Sequence, residues 1–82
     1  MIERKELQSL STALRRKLLL LNSDIRQERR RKYPSSAVLF SLCQTRKTLN
    51  QALVQCERAL VLPFEPSHAE LYAKVLALYQ SS

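Results

Sequence analysis

The side chains able to do acid–base, nucleophilic or metal chemistry are few and scattered: one histidine, His68, two cysteines, Cys43 and Cys56, and seven acids. Catalysis needs titratable groups that converge, and the chain has neither a glycine-rich phosphate loop nor a metal-spaced cluster. The pattern predicts a protein that is not an enzyme and takes no cofactor or metal. His68 falls in the first turn of a helix, where an exposed imidazole is ordinary. Cys43 and Cys56 share one helix and stand about 20 Å apart along its axis, too far for an internal bridge, so they read as small buried apolar groups. Glu3, Glu6, Asp24, Glu28 and Glu57 lie among cations at helical spacings and are expected on the surface.

The cations are more informative. Fourteen Lys and Arg against seven acids leave +7 and an isoelectric point near 10.0. Residues 1–32 hold ten cations and four acids, a net of +6, whereas residues 33–82 hold four and three, a net of +1. Two clusters result: Arg15, Arg16 and Lys17, then Arg26, Arg29, Arg30, Arg31 and Lys32. Arginine's planar fork suits phosphate and carboxylate, so these eight are the candidate anion-binding or nucleic-acid-binding residues. Tyr33 is the one aromatic beside them and no helix-turn-helix spacing is present. A solvated face, an acidic protein partner and a nucleic acid are the three readings.

These residues must be positioned by helices. With no glycine where roughly 6 would be average, tight hairpins and most all-β designs are excluded. Eighty-two residues, 45% of them hydrophobic, fit a single small all-α domain, 1–82. Leu7, Leu10, Leu14, Leu18, Leu21 and Ile25 recur at steps of three and four, which predicts a first helix over about 3–32. Its last two turns, with Glu28, Arg29 and Lys32 on that face, are expected to project beyond the core. Pro34 breaks the helix and the serines after it suit an N-cap. A second helix over about 36–62 carries Leu39, Leu42, Leu49, Leu53, Cys56 and Leu60, with Arg46 where an apolar residue would sit. Arg46 is expected to snorkel or to pair with an acid of helix one. Val38, Phe40, Ala52, Val54, Ala59 and Val61 widen that face. Ser67 with Glu70 matches a capping box opening a third helix over about 68–80, apolar enough to need cover on two sides. The two long helices form an antiparallel hairpin, and the third folds back over one end.

Residues 1–8 carry no signal-peptide pattern, and a cytoplasmic product is expected. The leucine run Leu18 to Leu21 is far short of the roughly 18 residues a span requires. Its basic flanks are those of an amphipathic surface helix, but the leucines continue a regular packing seam and serve the core.

Phe40 and the run Lys47, Thr48, Leu49, Asn50, Gln51, Ala52, Leu53 resemble the second helix of the small co-chaperones of type III secretion needle subunits, over about residues 7–62. The likeness implies a short hairpin that joins a tetratricopeptide-like partner to keep a needle subunit from polymerising; the third helix and the positive charge depart from that pattern. Residues 52–79 also resemble a junction between tetratricopeptide repeats, at Ala52, Ala59, Leu60, Pro66, Ala69, Tyr72, Val75 and Tyr79, with Leu76 where a small residue is wanted. A small chain buries only about 60–65% of its unfolded surface, so apolar faces in surplus imply a partner. The expected function is therefore an adaptor or chaperone-like module, binding through Leu39, Leu42, Leu49, Leu53, Leu71, Val75 and Tyr79. The partner is another protein, acidic or built of helical repeats, or a second copy. Nucleic acid on the basic clusters is the alternative.

Overall fold

The computed structural model describes residues 3–63 and 65–81. The described residues form three helices and no strand: α1 (Arg4–Arg30), α2 (Ser36–Leu60) and α3 (Ser67–Ser81). The fold is all-α, with bounds within two residues of those expected from the sequence.

The first turn is built by polar groups. Arg31 is already extended, at φ −66 and ψ 150, so α1 stops two residues earlier than the proline alone requires. Glu28 accounts for this. Its carboxylate accepts the Ser35 N–H at 2.9 Å and the Arg31 guanidinium at 3.0 Å, which ties the chain after the helix back onto its last turn. Ser35 then caps α2 by accepting the Val38 N–H at 3.3 Å. The last turns of α1 lie beyond the core, with Arg26, Arg29 and Arg30 exposed, but Glu28, expected on the surface, is 7% exposed.

The hairpin is antiparallel along its length. Asn22 meets Arg46, Arg15 meets Glu57, and Arg4 donates to the Leu62 carbonyl at 3.1 Å near the open end. The molecule is a rod, 49 × 16 × 16 Å. At about 1.5 Å per residue the fifteen residues of α3 cover roughly 22 Å, about half of it. Its start sits at Ala59 and its end at Lys17, whose ammonium donates to the Tyr79 carbonyl at 2.7 Å.

The core lies where three helices meet: Leu7, Leu10, Leu14 and Leu21 of α1, Leu49, Ala52, Leu53, Cys56 and Ala59 of α2, and Val75 of α3. Burial of a leucine of this kind contributes about 1.5–3 kcal/mol, and α3 is held chiefly by such packing. Cover on two sides of α3 is not found: Leu71, Tyr72, Leu76, Leu78 and Tyr79 are half-buried, against one side of the hairpin. The hairpin is too narrow to wrap a third helix.

Candidate docking surface, cationic tip and the histidine corner

Three of the seven expected docking residues cannot present a surface. Leu49 and Val75 are wholly inside and Leu53 nearly so, because the stripe that looked exposed from α2 alone is the seat of α1 and α3. Leu39, Leu42, Leu71 and Tyr79 are half-buried. Among the described residues the large exposed apolar side chains are others: Leu19 and Leu20 of α1, Tyr33 of the turn, Val38, Phe40 and Val54 of α2, and Val61 and Leu62 after it. Phe40, Val54 and Val61 fall on one heptad line with Lys47, a signal legible in the sequence but masked there by the stronger core stripe.

The two cation clusters also separate. In the first, Arg15 grips Glu57 across the hairpin, in part through Nε at 3.1 Å. Lys17 holds the end of α3, with its ammonium on the Tyr79 carbonyl and 4.7 Å from that ring's centre. A cation at a helix C-terminus and over an aromatic face is stabilised twice. Both residues are thus engaged within the fold, which leaves Arg16 as the outward member. In the second cluster Arg31 is joined to Glu28, and Lys32 stands 5.8 Å from the Tyr33 ring centre. Arg26, Arg29 and Arg30 are exposed. Bonds from Ser35 and then Arg31 hold the Glu28 carboxyl below the usual carboxylate range.

His68 departs most from its expected place. It is 5% exposed, at the corner where α2 ends and α3 begins. Nε2 lies 3.0 Å from the Ala59 carbonyl and so carries the ring proton; Nδ1 accepts the Glu65 N–H at 3.0 Å and lies 3.2 Å from the Glu65 carbonyl. The ring stands three residues after Glu65 and reaches back to its N–H, the return half of a capping box with imidazole in the place of a carboxylate. Ser67 lies inside the helix, so the expected Ser67 cap does not form. Beside the ring, Ala59, Leu62 and Leu71 form the apolar wall of a groove of about 380 Å³.

Arg46 is half-buried, as its place in the stripe requires. Its partner is an amide rather than an acid: Nη1 donates to Asn22 Oδ1 at 3.3 Å, and Nη2 reaches Cys43 Sγ at 3.9 Å. Around them Leu18, Asn22, Cys43, Arg46, Lys47 and Asn50 line a groove of about 520 Å³. Both thiols are free, and burial, then the Glu57 charge, pushes that of Cys56 up. Among the described residues no three His, Cys or acidic side chains come together as a metal-binding set. No described helix is long and apolar enough to cross a membrane.

The class defined by this geometry is a helical hairpin with a third helix docked along half of it. No family model, curated protein or solved structure matches the chain.

Proposed function

We propose that the chain is a non-enzymatic protein-binding module of the adaptor or chaperone type, which receives a helix of its partner along the half of the hairpin that α3 leaves uncovered. One observation supports this reading above the others. Beyond the end of α3, Leu39 and Leu42 are half-buried and Val38 is exposed, and Leu19, Leu20 and Phe40 are exposed on the outer faces, so both helices carry apolar surface that nothing else in the described chain covers. The needle-subunit and tetratricopeptide likenesses both make that partner helical. Binding of a hydrophobic dye, together with light scattering at micromolar concentration, tests the idea. Expected are dye binding or self-association that falls when Leu19 and Leu20 become serine, with helicity kept. A strict monomer that binds no dye contradicts it.

Nucleic acid is the second reading, favoured by Arg26, Arg29 and Arg30, exposed together at the tip. On that reading the Arg29→Gln, Arg30→Gln pair flattens the plot of log affinity for duplex against log salt by about 2, at about 0.9 for each phosphate no longer neutralised. Arg31 is left in place because it anchors Glu28.

A further inference from the structure

The two grooves of the uncovered hairpin half differ in charge. On the side where Val38 and Leu42 lie, the groove is lined by Asp24, Gln27, Glu28 and Arg31, so it carries both acids of this half. The other groove is lined by Leu18, Asn22, Cys43, Arg46, Lys47 and Asn50 and has no acid in its lining. Along α1, Arg26 and Arg29 continue the line of Leu18 and Asn22 at helical steps of four and three. Along α2, half-buried Leu39 lies one turn before Cys43. At the far end the nearest acid, Glu57, is already taken by Arg15. Leu18 and Cys43 give this groove an apolar floor, while Arg26, Arg29, Arg46 and Lys47 give it cationic edges. Arg46 spends one N–H on Asn22 and keeps others for a second acceptor.

We infer that this groove binds an amphipathic helix with acidic flanks, supplied by the partner protein. The inference rests on the docking function above and names the partner's chemistry. A short apolar floor at Leu18 and Cys43 with cations on both rims matches a helix that is apolar on one face and acidic beside it. Polyanions without an apolar face would meet the rims and leave the floor uncovered. A second copy of this chain fits poorly, because its exposed leucines, Leu19 and Leu20, are flanked by Arg16 and Arg26.

The test uses three labelled peptides of about 18 residues, long enough to span about 27 Å as helices. They share one leucine stripe and differ in having glutamate, glutamine or lysine on its flanks. Fluorescence anisotropy with the full chain at about 0.15 M salt should show the glutamate peptide binding at least about tenfold tighter than the glutamine one, and the lysine peptide not binding. The R26Q/K47Q double variant changes two exposed groups and should bring the glutamate peptide to the affinity of the glutamine one, with an unchanged melting curve. Changing Arg58 and Lys74 to glutamine, both outside this groove, should leave the affinity alone. Equal binding of the glutamate and glutamine peptides keeps the docking function and overturns the acidic partner. Equal loss from R58Q/K74Q overturns the groove in favour of general charge attraction. If no peptide binds while a duplex oligonucleotide or a phosphatidylserine vesicle does, both the inference and the docking function fail.

Discussion

The half of the rod that α3 covers and the half that ends in the tip use the same two helices but are held by different forces. In the covered half, Leu7, Leu10, Leu14, Leu49, Leu53 and Cys56 are buried and Val75 closes the third side. In the tip half α1 buries Leu21 and Ile25, and α2 contributes no buried residue before Leu49. Polar ties stand in for the missing grease: Glu28 holds the turn through Ser35 and Arg31, and Asn22 meets Arg46 across the groove. Two touching cylinders share only a narrow seam, so a hairpin without a third helix cannot dry its own core. The tip is therefore the part with surface to spare.

Truncation in the two halves should separate them most clearly. Leu49→Ala removes a side chain with no exposure and should cost about 2–5 kcal/mol in urea unfolding. Leu42→Ala, one stripe position into the tip, should cost less than half as much because its side chain already meets water. Equal losses would mean that the tip is packed as tightly as the covered half.

Next in size is the corner. His68→Ala removes the ring from the Ala59 carbonyl, which keeps the Leu62 N–H at 3.3 Å, and from the part-buried Glu65 N–H, so each lost bond should cost about 0.5–1.5 kcal/mol. Hydrogen exchange should show α3 opening first while the tip keeps its protection. Faster exchange at the tip instead would make the two halves one cooperative unit.

Arg46→Leu should change stability by no more than about 1 kcal/mol and should increase self-association, since it extends the seam from Leu42 to Leu49 while removing one long bond to half-buried Asn22. Sedimentation and a melting curve read both effects. A marked fall in melting temperature would show that the Asn22 bond is needed.

The smallest effect is the pH dependence of the turn. Because the folded chain holds the Glu28 carboxyl below its ordinary value, its contribution is fully present above the ordinary carboxylate range and is lost as pH falls from there to the lowered value. The melting temperature of the parent should drop more on acidification through that window than that of Glu28→Gln, so the gap between the two should be widest at neutral pH and narrow in acid. Parallel curves would remove Glu28 from the account of the tip.

Much of the architecture was legible in the residues. The stripe from Leu7 to Ile25, the break at Pro34 with its serine cap, and the third helix after Pro66 all follow from local rules of periodicity, capping and proline geometry. The same stripe misled at the surface: Leu49, Leu53 and Val75 looked available for a partner, whereas Phe40 and Val54, read as widening the face of α2, are the exposed ones. Periodicity tells which face of a helix is apolar, but not which of two neighbours will cover it.

The amino-acid sequence by itself determined that this protein is helical, where its helices turn, and that its positive charge lies almost entirely on α1, because each of these depends on residues within a few positions of one another. The tertiary structure alone decided that Glu28 would staple the turn, that His68 would join the end of α2 to the start of α3, and that Arg15 would pair with Glu57 and Lys17 with the end of α3. It also decided which groove would keep its cations. Those outcomes rest on distances between helices, and in a rod only half covered by α3 such distances follow from how far the third helix reaches.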